Sequence, residues 1–124
     1  MNSVLIKSAK EFGLSEEKIL AWGEKYLLKN GLDNCELSII FVKPEKILSF
    51  NRKYRNLDEA TSVLTFFQGQ AYPFDKRITP EKTLILGDIV ICPEQAEQKN
   101  LTIEFLINHG IKNLLSEIST AKSF

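Results

Sequence analysis

The spacing of apolar residues along the 124-residue chain predicts an alternation of strands and helices. Runs dense in β-branched and apolar residues predict four strands, at residues 3–8, 35–42, 62–68 and 83–91. Apolar residues three and four positions apart predict helices at residues 14–32, 44–56 and 102–115, and one that begins at Pro93. The third helix either breaks near Asn100 or runs on into the fourth. This order indicates a single α+β domain over residues 1–124, in which helices pack on a mixed four-stranded sheet.

Local signals refine the predicted elements. Ser15 is a favourable N-cap for the first helix, and Gly31 is placed to end it in a left-handed conformation. The dense apolar strand at 35–42 is expected to be covered on both faces. The side chains that we expect the second helix to bury are Ile47, Leu48, Phe50 and Tyr54. Glycine and proline in residues 69–82 predict an exposed loop.

The composition is that of an ordinary globular protein, with 44% hydrophobic and 26% charged residues. Because 16 basic residues balance 16 acidic ones, any polyanion must bind a local basic patch. No apolar run approaches the ~20 residues of a membrane span, and the N-terminus lacks the pattern of a signal peptide. We therefore expect a cytoplasmic protein without a membrane partner.

Cys35 and Cys92 fit no zinc motif and are expected to be buried core residues.

A basic segment surrounds the end of the second predicted helix. Against the single acid Glu45, residues 43–55 carry five positive charges: Lys43, Lys46, Arg52, Lys53 and Arg55. Arginine binds phosphate in a bidentate way, and tyrosine stacks on nucleobases. The segment is either a solvated helix face, which the spacing alone favours, or an RNA-binding patch.

Two further positions carry candidate chemistry. Gly87 interrupts a strong strand, which predicts a bulge or the close approach of another backbone. Asp88 beside it either satisfies a backbone donor, which the local pattern favours, or orients a catalytic group.

His109, the only histidine, falls at one edge of the apolar stripe of the fourth helix, together with Asn113. A zinc hydrolase needs about three protein ligands, and asparagine is a poor one, so these residues alone do not predict zinc binding.

Taken in order, these segments resemble the YbeY family of bacterial rRNA maturation endoribonucleases, from the first strand to about Leu115. The family pattern around the second helix is Asn-x-x-Tyr-Arg, a spacer and Asp-x-x-Thr-Asp-Val-Leu-Ser-Phe. The matching residues are Asn51, Tyr54, Arg55, Asp58, Thr61, Val63, Leu64 and Phe66. Ser62 and Thr65 stand where the family has Asp and Ser. The Gly-Asp-Ile of a family strand is matched by residues 87–89.

The zinc signature of the family, His-Gly-x-Leu-His-Leu-x-Gly-x-Asp-His, is only partly present. The matching residues are His109, Gly110 and Leu114. Asn113 and Ser119 replace the second and third histidines, and Ile118 replaces the aspartate. The departure begins abruptly at Lys112, and the further C-terminal helix of the family is missing from the 124 residues. This distribution suggests a frameshift or truncation at the 3′ end of the gene, and true divergence is the alternative.

The resemblance implies a zinc-dependent hydrolase that cleaves single-stranded RNA, with rRNA precursor and the small ribosomal subunit as partners and no DNA. Arg55 would hold the scissile phosphate, and Asp88 would lie near the metal ligand His109, so Arg55 and Asp88 are the catalytic candidates. The basic residues of the segment at 43–55 would contact RNA. With two of three histidines absent, we expect zinc to bind weakly or not at all and cleavage to be impaired.

Two alternatives stay open at this point. The chain is then either a metal-free RNA- or ribosome-binding domain that keeps Arg55 and the basic segment, or a metalloprotease-like hydrolase. The second is weaker, because Gly110 stands where such enzymes carry the glutamate of His-Glu-x-x-His.

Overall fold

Four strands form one mixed sheet, which confirms the α+β architecture. The computed structural model describes the backbone of residues 1–71 and 83–121 and the side chains of residues 1–68 and 83–117. The strands are β1 (Ser3–Lys7), β2 (Cys35–Phe41), β3 (Val63–Ala71) and β4 (Leu84–Ile91). They lie in the order β1-β2-β4-β3, with β1, β2 and β4 parallel and β3 antiparallel to β4. Most of the predicted loop between β3 and β4, residues 72–82, lies outside the described residues.

Helices connect and cover these strands. They are α1 (Glu16–Lys29), α2 (Pro44–Phe50), α3 (Pro93–Gln98) and α4 (Ile103–Ala121). A 3-10 turn at Lys10–Phe12 follows β1. Asn100 has a left-handed φ of 57°, so α3 and α4 are separate helices. Within the described residues, no helix is both long enough and apolar enough to cross a membrane.

The ends of α1 follow the sequence signals. The Ser15 hydroxyl accepts a hydrogen bond from the backbone N–H of Lys18 at 3.3 Å, which satisfies one of the free donors of the first turn. At the other end, Gly31 has a φ of 82°. The N–H of Leu32 then reaches back to the carbonyl of Leu27 at 2.9 Å, which closes the helix. Both end predictions are confirmed.

The main core lies between the sheet and the pair α1 and α4. Its most buried side chains include Ile19, Leu27, Leu37, Ile39, Ile89, Ile107 and Ile111. A smaller cluster lies under α2 on the other face and consists of Ile47, Leu64, Val90 and Cys92. Cys35 and Cys92 are buried free thiols, as predicted. In β2 every second side chain is fully buried, and on the other face Ser38 and Ile40 are half-buried and Glu36 is exposed, so the second face is covered only in part.

Gly87 marks a bulge in β4. Glu36 pairs with Ile85 and Leu37 pairs with Gly87, which leaves Leu86 as the extra residue. Gly87 has a φ of 146°, and a Cβ added there would overlap the carbonyl oxygen of Phe66. Both consequences expected of this glycine, a bulge and a close backbone approach, are therefore present.

The second predicted helix changes its winding part-way. After α2 the chain makes one wider π turn, Asn51–Arg55, which ends at Asn56 with a left-handed φ of 55°. The amide N–H groups of Asn56 and Leu57 both donate to the carbonyl of Asn51. The wider turn takes the residues after Asn51 out of the α-helical stripe. Tyr54 is consequently 56% exposed, and the prediction that it is buried is wrong.

Candidate functional site

Asn51 anchors the loop that follows the π turn. Its side chain is completely buried, and Nδ2 donates to the carbonyl of Glu59 at 2.9 Å and to the Thr61 hydroxyl at 3.1 Å. The Thr61 hydroxyl in turn donates to the carbonyl of Val63 at 3.2 Å. These bonds tie the π turn to the start of β3 and so fix the side chains that the turn carries.

Arg55 is the last residue of the π turn and lies against β3, an edge strand of the sheet. Its side chain is exposed, and Nη2 donates to the carbonyl of Thr65 at 3.4 Å. Among the residues with described side chains, no carboxylate forms an ion pair with Arg55. A guanidinium positioned by one backbone contact keeps most of its donors available for an anion such as phosphate.

The predicted basic residues do not form one uniform patch, although all five are exposed. Arg52 pairs with Asp58 at 2.5 Å, which offsets part of its charge. The Lys53 ammonium lies 5.2 Å from the ring centroid of Tyr54. The free positive charge of the turn is therefore concentrated at Lys53 and Arg55.

The other two lysines lie at the opposite end of α2. Lys43 and Lys46 line a groove that also contains Glu11 and Glu45. Because this groove carries both signs of charge, it is a weaker attractor for a polyanion than the turn at Arg55. Lys43 and Lys46 therefore differ from Lys53 and Arg55 in the acidic residues beside them, although the Lys46 ammonium also lies 5.2 Å from the ring centroid of Phe50.

The flank of α4 that carries His109 faces away from α1. On the side toward α1, the Tyr26 hydroxyl donates to Glu104 at 2.5 Å, and the Asn30 amide lies 3.5 Å from Asn108. At ~100° per residue, position 109 lies well around the axis from these contacts. Because α1 packs on β1 while α4 packs on β3 and β4, this flank lies toward the edge formed by β3.

His109 and the π turn therefore lie toward the same edge of the sheet, His109 on the face that α4 covers and the turn on the face that α2 covers. We define the β3-edge surface as Tyr54, Arg55, Thr65, His109 and Asn113. Both α4 residues are exposed, and the imidazole of His109 stacks on Phe105 with ring centroids 5.8 Å apart and planes 12° apart. The predicted position of His109 and Asn113 at the margin of the buried stripe is confirmed.

The donors at this surface do not fit the zinc site of the resemblance. Among the described residues, no group of three His, Cys, Asp or Glu side chains is placed to hold one ion. The helix α4 also continues without a break from His109 through position 119. Ten residues of α-helix span ~15 Å, so residues 109 and 119 cannot contact the same ion while the helix is continuous. The side chain of Ser119 lies outside the described residues.

Asp88 lies on the other face of the sheet from α4. Its neighbour Ile89 packs on α4, and successive side chains of a strand point to opposite faces. Asp88 is half-buried, pairs with Phe66 across the strands, and accepts a hydrogen bond from Gln68 Nε2 at 3.1 Å. The hydrogen-bond partner of Asp88 is therefore the side chain of Gln68 and not a backbone donor. The sequence did not indicate this partner, because no local motif marks position 68.

A family model links these features to known proteins. The model of the family described as Endoribonuclease YbeY matches residues 5–116 of this chain. The chain belongs to the YbeY family. The matched range includes the π turn, the Gly87 bulge and the first part of α4, so the resemblance read from the sequence is confirmed.

Individual relatives agree with this assignment. Endoribonuclease YbeY of Aquifex aeolicus is 34% identical over 122 residues, which cover 92% of this chain and 75% of the relative. That of Staphylococcus carnosus is 37% identical over 91 residues, or 67% of this chain and 58% of the relative. Among solved structures, the solution structure of TM1509 from Thermotoga maritima is similar with a TM-score of 0.51 and 26% identity. The match covers 92% of this chain and 71% of TM1509. The chain spans less than two thirds of the Staphylococcus relative.

Proposed function

We propose that this chain binds single-stranded RNA at the β3-edge surface, with Arg55 as the principal phosphate contact. The named relatives are endoribonucleases, which makes RNA the substrate class. The observation that carries the proposal is the Arg55 guanidinium, which is exposed, held against the Thr65 carbonyl and free of carboxylate partners among the described side chains. Such a group binds phosphate through charge-assisted hydrogen bonds.

Membership of the family extends this proposal to a biological substrate. We propose precursor rRNA in the small ribosomal subunit, bound in the cytoplasm, as the target. A chain with no net charge has no general attraction to polyanions, so a folded ribosomal partner would contribute affinity that the turn alone does not supply.

We further propose that RNA binding persists in this chain while zinc-dependent cleavage is impaired. One imidazole at 109 and an amide at 113 do not supply the three ligands of a hydrolytic zinc site. The continuity of α4 past residue 116 supports this reading, because it keeps position 119 away from His109. A metal-free RNA-binding domain is thus the function that these residues favour.

The metalloprotease-like alternative finds no support at the position where it needs a general base. Gly110 lies directly over Ile89, and its Cα faces the sheet rather than the β3 edge. A carboxylate at 110 would therefore point into the core, not toward His109.

The binding proposal is tested with a fluorescently labelled single-stranded 12-mer RNA titrated with the protein at several salt concentrations. We expect affinity to fall as salt rises, because bound phosphates release counterions. Arg55→Ala should weaken binding and lower the salt slope by about one. Lys29→Ala, which removes an equal charge from the exposed face of α1, is the matched control and should change neither.

Equal effects of Arg55→Ala and Lys29→Ala would contradict a local site and leave only nonspecific attraction. The cleavage proposal is tested separately by the zinc content of the purified chain after dialysis against a mild chelator, together with gel analysis of the RNA. Retention of about one zinc per chain, or cleavage that depends on it, would overturn this second part.

A further inference from the structure

Tyr54 presents an aromatic ring that is both exposed and held in place. Its ring centroid lies 5.3 Å from that of Phe66 in a T-shaped contact and 6.1 Å from that of Phe50 in a tilted one. Phe50 and Phe66 also contact each other, at 6.0 Å. Two half-buried rings thus support a third, which remains 56% exposed. A ring supported in this way can accept a planar ligand without first being ordered.

One cation lies over this ring, and a second belongs to the next residue of the chain. The Lys53 ammonium lies 5.2 Å from the Tyr54 centroid. Arg55 is the next residue, and it contacts the carbonyl of Thr65, the residue that precedes Phe66 in β3. The Tyr54 ring and the Arg55 guanidinium therefore lie side by side along two neighbouring residues of the same edge strand.

An aromatic ring beside free cations is the arrangement that binds single-stranded nucleic acid, since bases stack on the ring while the cations follow the phosphates. A base within a duplex already stacks on its neighbours and does not offer its face. The ligand that fits this surface is consequently an unpaired stretch of RNA.

We propose that Tyr54 is a stacking platform for an unpaired nucleobase, next to the phosphate that Arg55 binds. This inference rests on the RNA-binding function proposed above and adds a base contact to its phosphate contact. The base takes the place of the Lys53 ammonium over the ring, and Lys53 turns to an adjacent phosphate. Because every base has a π-face, the platform favours single strands over duplexes without reading the sequence.

The test compares two ligands of equal charge. One is a labelled 12-mer of adenosine ribonucleotides, and the other is a 12-mer ribose-phosphate chain without bases. We expect the unaltered protein to bind the adenosine 12-mer about tenfold more tightly, since stacking adds to the phosphate contacts. Tyr54→Leu should abolish this difference, whereas Tyr54→Phe should keep it. Arg55→Ala should weaken both ligands by the same factor.

The outcomes distinguish failure of the Tyr54 platform from failure of RNA binding itself. If Tyr54→Leu lowers the affinity for both ligands equally, or for neither of them, Tyr54 is not a stacking platform. Salt-dependent binding through Arg55 would still stand. If the base preference is lost in Phe105→Leu and kept in Tyr54→Leu, the base stacks on the flank of α4 and our assignment is wrong. If neither ligand binds the unaltered protein, the RNA-binding function itself fails. Circular dichroism of Tyr54→Leu against Tyr54→Phe establishes that both variants are folded.

Discussion

Gly110 of α4 lies directly against the side chain of Ile89 in β4. A Cβ added to Gly110 would lie 2.7 Å from Cδ1 of Ile89 and 2.9 Å from both of its γ carbons. The Ile89 side chain is completely buried, and the close packing of the core limits its movement. We therefore expect Gly110→Ala to lower the free energy of unfolding by about 1–3 kcal/mol, because overpacking outweighs the better helix propensity of alanine. Urea denaturation followed by circular dichroism measures the change.

Two further variants test the cause of that loss. Gly23→Ala, in α1, is the matched control, because its added Cβ would lie 3.3 Å from the γ carbons of Val4. It should be much less destabilising. In the double variant Gly110→Ala with Ile89→Ala, the new methyl occupies space vacated by isoleucine, so the two losses should be less than additive. Strict additivity would show that Gly110 and Ile89 do not interact as described.

The buried amide of Asn51 gives a second prediction. Asn51→Ala removes the donor to Glu59 and Thr61 and leaves both acceptors without it. We expect a loss of about 1–3 kcal/mol in the free energy of unfolding, with faster hydrogen exchange at the Leu57 amide. Asn108→Ala is the control, since that half-buried amide makes only a 3.5 Å contact, and should change stability by less than about 0.5 kcal/mol. Unaltered exchange at Leu57 in Asn51→Ala would show that the loop does not depend on this side chain.

The fold could be predicted from the sequence wherever the pattern was local. Ser15 and Gly31 mark the ends of α1 through the chemistry of a hydroxyl and of a residue that tolerates positive φ, and both act within one turn. Gly87 was predicted to form a bulge or a close approach for the same reason. The four strands and the separation of buried from exposed positions on α4 follow from periodicity.

The surroundings of the candidate site could not be predicted in this way. Tyr54 lies on the expected apolar stripe only if the helix stays α-helical, and no local signal announces the π turn that exposes it. The contact between Arg55 and Thr65 and the pair formed by Gln68 and Asp88 depend on how strands and turns meet in three dimensions. The family was identified instead from the resemblance of whole sequence motifs, which the spacing of apolar residues does not reveal.

The cysteines give a prediction on reactivity. Burial raises the pKa of the Cys35 thiol to about 11, and burial also raises that of Cys92. The reactive thiolate is therefore scarce at mildly alkaline pH, and the folded protein shields both sulfur atoms. We expect no reaction of the native chain with a thiol-specific chromogenic disulfide, and reaction of two thiols after denaturation. Leu28→Cys, at a position that is 60% exposed, is the positive control. Rapid labelling of the unaltered native chain would contradict the burial of these residues.

The pair formed by Tyr26 and Glu104 gives a prediction on pH. The hydrogen bond from the Tyr26 hydroxyl, and next the bond from Lys25, lower the pKa of the Glu104 carboxyl below its ordinary value of 4.5. A carboxyl with a lower pKa in the folded state stabilises the fold above its unfolded pKa, and this contribution is lost as pH falls through the lowered value. Tyr26→Phe should therefore raise the pKa of Glu104, as measured by carboxyl carbon NMR, and weaken the acid dependence of stability. Lys25→Ala should raise it less, and the reverse order would mean that the lysine is the dominant partner.

The last prediction concerns the metal, and it turns on the continuity of α4. Asn113→His and Ser119→His restore the family histidines, and Ile118→Asp restores the aspartate before the last of them. With Ser116 in place, however, position 119 stays ~9 Å along the helix from position 113. The Ser116 hydroxyl also donates to the carbonyl of Asn113 at 2.7 Å.

Ser116→Gly removes that hydroxyl and lets the chain leave the helix, because glycine adopts the left-handed conformation that ends helices. The fourfold variant combines Ser116→Gly with Asn113→His, Ile118→Asp and Ser119→His, and the triple variant keeps Ser116. We therefore expect the fourfold variant to retain about one zinc per chain after dialysis and the triple variant to retain much less. Zinc is measured by atomic absorption, with circular dichroism to establish that both variants are folded. Equal zinc in the two would mean that the helix is not the obstacle. A folded fourfold variant with no more zinc than the unaltered chain would mean that His109 is not placed to act as a ligand.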